Sequence, residues 1–432
     1  MKKIVFGFLV LICTSSLAQF KISGEIKNFG ERPLMIRIYN GANEKLINRV
    51  EADKNGKFSV NIPRYSGVVS ITNQQRTSVI EIATDNEDVD FTAEYDHGAR
   101  FSNIEFRKGK TAMSYIKYQS YQNFNDMKQN IFPIIKALYQ PGDEFYEAMV
   151  KEENRIAQLN PASDHPFLKY YIQTAELANA QAETKEMGSV YQNRILNKLI
   201  NDNDYLEGSG FMTQLVLNYF RFGIFGASSQ NEINSIIDNE ISKLIEETDI
   251  ETSRGQNVLS AIFSVLPKEQ FGSILEKYYQ QANDLTCQLT DELKTNLSAH
   301  NITKVGNQVP DIIFNESVNG YKSLYDIKAD KKIIVFWASW CPACRDEMPF
   351  IKEYYTNFKK EGGEIVAISL DYDKNEFINY TKDYSWINYT DLSQWDTQSV
   401  ADFGVDSTPT LFLVDKDNKL IKKVSHISEL ID

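Results

Sequence analysis

A chain of 432 residues exceeds what one ordinary hydrophobic core holds, so two or three domains are expected. With 42% hydrophobic and 12% aromatic residues, its makeup is that of a soluble globular protein. A formal net charge of −13 argues against a nucleic-acid backbone or an anionic membrane surface as the main partner.

Residues 1–18 read as a targeting segment. Lys2 and Lys3 supply a charged start, an apolar run follows from Ile4 to Cys13, and Ser16 and Ala18 are small residues suited to cleavage before Gln19. The run is shorter than the about 20 residues a spanning helix needs, and no other stretch could span a bilayer. Lipid attachment at Cys13 is disfavoured by Ile12, where such signals want a small residue. Export to the periplasm or cell envelope, with release after Ala18, is therefore expected. Removing the leader leaves Cys287, Cys341 and Cys344, one close pair and one bystander.

Residues 19–109 read as an all-β domain. Phe20, Ile22, Gly24 and Ile26 alternate with polar neighbours, and so do Leu34, Ile36 and Ile38, then Phe58, Val60 and Ile62. A turn at Asp53-Lys54-Asn55-Gly56 precedes the last of these, and short strands follow near 68–72, 78–83, 89–95 and 103–106. Strands at this spacing predict a sandwich. His97 stands alone, as a surface or capping residue.

Over 110–303 the apolar spacing changes to three and four, as in Ile233, Ile236, Ile237, Ile241, Leu244 and Ile245, then Leu259, Ile262, Phe263 and Leu266. About eight helices are expected, several opened by prolines at 133, 161, 166 and 267. The many tyrosines, among them Tyr115, Tyr118, Tyr171, Tyr278 and Tyr279, are read as core and helix-packing residues. Cys287 falls in a helical-looking run and reads as a small buried hydrophobe. His165 and His300 are too far apart in sequence to argue a metal site.

Residues 304–432 alternate strands and helices, which predicts an α/β sheet. Ile333 to Trp337 is an unbroken apolar run, expected of a strand covered on both faces. Ala338, Ser339 and Trp340 turn the chain into Cys341-Pro342-Ala343-Cys344, and a helix follows through Phe350, Ile351, Tyr354 and Phe358. A cysteine at a helix start faces unpaired N–H groups and the positive end of the helix dipole, which favour thiolate over thiol. Pro342 suits the first turn, where a missing N–H costs nothing. Thiolate attacks disulfides, so Cys341 is the expected nucleophile and the deeper Cys344 the resolving thiol. Resolution needs a base, and Glu347 lies three residues after Cys344, one helical turn on. Trp340 is expected to shield the sulfur. The last helix has room only for a short turn before Asp432.

FWASWCPAC at 336–344, RDEMP at 345–349, PDIIFN at 310–315, GYKSLYDIKADKK at 320–332 and ADFGVDSTPTLFLVD at 401–415 occur in one order. Together they resemble the thioredoxin-like thiol–disulfide oxidoreductases of the TlpA/ResA type, related to the AhpC/TSA proteins. NRVEADKNGKFSVNIP at 48–63 resembles a small β-domain found ahead of such domains in Bacteroidetes-type exported proteins. Joined to the readings above, the resemblance makes the expected fold class multidomain α+β: signal peptide 1–18, β-sandwich 19–109, helical region 110–303 and, by the resemblance itself, a thioredoxin-like domain 304–432. It implies a proton-transfer role for Glu347 and a cis Thr408-Pro409 facing the cysteine pair, with Trp340, Pro342, Thr408 and Pro409 contacting substrate. It also implies thiol–disulfide exchange with envelope proteins, as a reductant, recharged by a membrane or periplasmic electron donor and using no cofactor.

Other readings of the cysteine pair are weaker. A zinc site lacks a second ligand pair, and a merely structural disulfide would close too small a loop to stabilise much. A peroxiredoxin-like peroxidase would want Thr three residues before its cysteine, where Ala338 stands. A non-enzymatic ligand- or protein-binding module with a vestigial pair fits poorly with the intact set Trp340, Cys341, Cys344, Glu347 and Thr408-Pro409.

Overall fold

The computed structural model describes residues 19–96, 99–159, 163–200, 203–302 and 304–430. The expected targeting segment with Cys13, together with His97 and Pro161, lies outside the described residues.

Eight strands come first: β1 (Gln19–Lys27), β2 (Pro33–Tyr39), β3 (Glu44–Glu51), β4 (Lys57–Pro63), β5 (Ser66–Asn73), β6 (Val79–Asp85), β7 (Val89–Tyr95) and β8 (Phe101–Lys108). They form two four-stranded sheets, ordered β4-β1-β7-β8 and β3-β2-β5-β6. Alternation in β1 and β4 sends every second side chain inward. Ile22 and Phe91 from one sheet then share a buried cluster with Ile36, Ile71 and Ile82 from the other. Each sheet has one apolar face to bury, and a sandwich buries both. β5 is buried almost throughout because its other face is also covered: Val68 and Ala83 pack with Tyr115, Phe167 and Leu168 of the following helices.

The turn expected at 53–56 is present, but it joins β3 in one sheet to β4 in the other. Gly56 has φ +75, and a Cβ there would lie 2.0 Å from the carbonyl oxygen of Ile26, so only glycine fits. β3 escapes sequence reading because its side chains are half-buried or exposed and carry little alternation.

From Lys110 to Asn301 the described residues are helices joined by short links. The spacing at 233–245 becomes the helix Gln230–Thr248, capped by Ser229, and that at 259–266 belongs to Ser253–Val265, capped by Thr252. Pro166 opens Pro166–Ala178, and Pro267 caps Lys268–Asn283. Tyr115 and Tyr118 meet Tyr171 edge to face, as packing residues do. Cys287 corrects the sequence reading. It lies in the link between Lys268–Asn283 and Asp291–Asn301, half-buried rather than helical and enclosed, with the Gln256 amide 3.4 Å from its sulfur. Asn283 and Asp284 end the helix early, as side chains that compete for backbone hydrogen bonds do.

The described chain divides into two compact units. One holds the eight strands with the helices up to residue 179 and residues 203–211; the other holds the link between β2 and β3 at 41–43, with 180–200 and 212 onward. Among the described residues no helix is long and apolar enough to cross a membrane.

The C-terminal strands are β9 (Ile313–Val318), β10 (Tyr321–Ser323), β11 (Lys331–Trp337), β12 (Gly363–Ser369), β13 (Ile387–Tyr389), β14 (Thr410–Asp415) and β15 (Leu420–Val424). Five of them form a sheet ordered β13-β12-β11-β14-β15, with β9 and β10 paired separately. β11 is central, parallel to β12 (Ile333 opposite Ile365) and antiparallel to β14 (Ile334 opposite Phe412). Ile333 through Trp337 are all buried, so both faces of β11 are covered, as the unbroken apolar run requires. Met348, Ile351, Tyr355 and Phe358 of the helix Pro342–Lys360 join that core, and so do Val400 and Phe403. Burying each such side chain stabilises the fold by about 1.5–3 kcal/mol. After β15 the described residues make a 3-10 turn, Ile427–Leu430.

Candidate active site

The cysteine pair sits where the central strand hands over to its helix, at the carboxyl end of β11. Cys341 is the N-cap of Pro342–Lys360, and its sulfur accepts the N–H of Cys344 at 3.4 Å. Pro342 occupies the first helical turn. Both thiols are free. Their environments push them in opposite directions. Burial would raise the Cys341 thiol, but hydrogen bonds from the Cys344 thiol, Thr408 and the N–H groups of Cys344 and Ala343 bring it below its ordinary value. Cys344 is fully buried, and burial followed by its contact with Cys341 pushes it up to about 12.

Thr408 and Pro409 approach from the start of β14. Their peptide bond is cis, Pro409 is buried, and the Cys341 thiol donates to the Thr408 carbonyl at 3.3 Å. Trp340 is partly exposed, and its indole N–H donates to the Leu370 carbonyl at 3.1 Å, which fixes the ring beside the turn.

Glu347 lies one turn beyond Cys344 and is buried. Both its oxygens are engaged from the C-terminal turn. The Ile427 N–H donates to Oε1 at 2.6 Å, and His426 Nδ1 lies 3.0 Å from Oε2. The His426 imidazole is raised above its ordinary value by that hydrogen bond and then by the Glu347 charge. A groove of about 560 Å³ runs along the helix beside this carboxylate, bordered by Phe350, Tyr354, Phe358 and Ile427.

Two residues of this neighbourhood escaped the sequence reading. Asp371 follows β12 and is almost completely enclosed. Its carboxylate accepts the Ser339 N–H at 3.0 Å and the hydroxyls of Ser339 and Ser369, each at 2.6 Å. It thereby ties the turn before Cys341 to the neighbouring strand. Its sequence signal was its place just past the carboxyl end of a buried strand, where α/β sheets gather functional side chains. His426 carried no such signal, since its role depends on a contact 79 residues away.

Comparisons with known proteins converge on this region. A family model described as thioredoxin-like matches residues 330–420. The chain is 29% identical over 121 residues to the thiol-disulfide oxidoreductase ResA of Bacillus cereus, covering 28% of this chain and 69% of that protein. It is 31% identical over 121 residues to ResA of Bacillus subtilis, covering 28% of this chain and 66% of that one. A solved thioredoxin domain of a thiol-disulfide oxidoreductase from Bacteroides vulgatus is 25% identical, with a TM-score of 0.27, over 29% of this chain and 92% of that one.

Proposed function

We propose that the chain, whose C-terminal region is similar to thioredoxin-like thiol–disulfide oxidoreductases, is exported and reduces disulfides of envelope proteins through its CPAC motif. The observation that carries this reading is the placement of two neighbouring thiols: Cys341 is the N-cap of Pro342–Lys360 and accepts the Cys344 N–H at 3.4 Å, while Cys344 is fully buried, so the first is lowered and the second raised. A lowered thiol is thiolate more of the time and attacks; a raised one stays protonated until its turn comes.

In the first step the Cys341 thiolate attacks one sulfur of the substrate disulfide. A Cys341–substrate bond forms, and the other substrate sulfur leaves as thiolate. In the second step Cys344 gives its proton to Glu347 and attacks Cys341. The Cys341–Cys344 bond forms, the mixed disulfide breaks and the second substrate thiolate departs. Two electrons pass from the pair to the substrate, whose thiolates take up protons. A membrane or periplasmic donor then returns the pair to its dithiol form. The Thr408 carbonyl, 3.3 Å from the attacking sulfur, supports substrate contact at Thr408 and Pro409, and Trp340 and Pro342, which flank Cys341 in the chain, are the further contacts proposed. An extended peptide laid along that edge would bring its disulfide to Cys341.

The leader-like composition of residues 1–18 supports export and cleavage after Ala18. We assign residues 19–109 and 110–303 to a β-sandwich and a helical region that precede the redox domain, 304–432.

The test is the reduction potential of the Cys341–Cys344 pair in the full chain, equilibrated against glutathione. A reductant requires a value near or below the about −270 mV of thioredoxin. A value near the about −120 mV of a strong oxidant would reverse the direction proposed.

A further inference from the structure

We propose that His426 is a positioning residue for the resolving step: it holds the Glu347 carboxylate in place from the C-terminal turn so that this carboxylate can receive the Cys344 proton. This rests on the reading of Glu347 as the base.

Glu347 is the only part of the pair that is enclosed, with its side chain 10% exposed against 60% for His426. A carboxylate so enclosed has lost water and needs donors on its oxygens, and those donors fix where the oxygens lie. Two donors hold this one, the Ile427 N–H on Oε1 and the imidazole Nδ1 on Oε2. The backbone donor is invariant to substitution, so the side-chain contribution comes from His426 alone. With 3.0 Å between Nδ1 and a carboxylate oxygen, the proton sits on Nδ1 in both the neutral and the cationic imidazole. The hold therefore persists on either side of the histidine titration.

The turn that carries His426 is itself anchored. Glu429 Oε1 accepts the N–H groups of His426 and Ser425, at 2.9 and 3.2 Å, and the Lys422 ammonium donates to the Glu429 carbonyl at 2.6 Å. These bonds give the imidazole a fixed mount rather than a free tether. The charged groups facing it are Glu347 from the active-site helix and Glu429 from its own turn. The arrangement is that of a catalytic carboxylate oriented by a neighbour, and misplacement of such a group costs up to about 10²-fold in rate.

The experiment uses the full chain and a model disulfide, with the two steps separated by acid quench and mass analysis of the mixed disulfide. His426→Ala is expected to slow the second step about tenfold while the first proceeds at the normal rate. His426→Asn, whose amide nitrogen reaches the place of Nδ1, is expected to recover most of that loss. Glu347→Gln is expected to slow the second step and to make it indifferent to His426→Ala, since the two act as one unit. A second step unchanged by His426→Ala but slowed by Glu347→Gln would overturn this proposal and leave the base in place. A second step unchanged by Glu347→Gln would overturn the base itself. Equal losses in both steps, tracking a lowered unfolding midpoint, would reduce His426 to a structural pin of the last turn.

Discussion

Replacing Asp371 by alanine is expected to destabilise the redox domain by several kilocalories per mole. The Asp371 carboxylate is buried and accepts three donors: the Ser339 N–H and the hydroxyls of Ser339 and Ser369. The N–H is fixed by the backbone and would be left without an acceptor, at a cost of about 1–3 kcal/mol. The hydroxyls lose charge-assisted bonds but can rotate toward other acceptors, so they add about 1 kcal/mol each. The sum is about 3–5 kcal/mol, a large fraction of the 5–15 kcal/mol that holds a typical domain. Asparagine keeps one acceptor oxygen for the N–H and is expected to cost about 1–2 kcal/mol. All four tryptophans, at 337, 340, 386 and 395, lie in this domain, so their fluorescence reports its unfolding in the full chain. With a urea slope of about 2 kcal/mol/M, alanine would lower the midpoint by roughly 1.5–2.5 M. A midpoint within a few tenths of a molar of the parent, about 0.3 M or less, would refute the view that Asp371 braces the turn before Cys341.

Cys341→Ser is expected to abolish turnover, and Cys344→Ser to accumulate mixed disulfides; mapping the trapped species to Cys287 would contradict the assignment, and Cys287→Ser should leave turnover nearly unchanged. Because Cys341 is lowered and Cys344 is pushed up to about 12, iodoacetamide should label Cys341 well before Cys344 as pH rises, and equal labelling would remove the basis for their division of labour. The His426 imidazole is raised by Glu347, so the stability it contributes is fully present below its unfolded value of 6.5 and is lost as pH rises through the higher folded value. The parent should thus lose more stability than Glu347→Gln between pH 6 and pH 8, measured by the tryptophan-reported urea midpoint; equal losses would mean that the charge on His426 contributes nothing to folding through Glu347.

The sequence by itself determined what depends on local order. The unbroken apolar run 333–337 could only be a strand covered on both faces, and a cysteine placed just after its turn could only meet the start of the next helix. The same holds for β1 and β4, where alternation is a one-dimensional record of one wet and one dry face. Tertiary structure decided everything that required two distant segments to meet. Glu347 was legible as a carboxylate one turn past Cys344, but its two donors come from residues 426 and 427, brought there by the return of β15 along the sheet. Asp371 looked like one acidic residue among 59 aspartates and glutamates until β12 set it beneath Ser339. Cys287 was misread for the opposite reason: the spacing around it looked helical, while Asn283 and Asp284 had already ended the helix. Periodicity records which face of an element is dry. Which side chains share a buried polar contact depends on strand order and chain return, and those are properties of the packed fold.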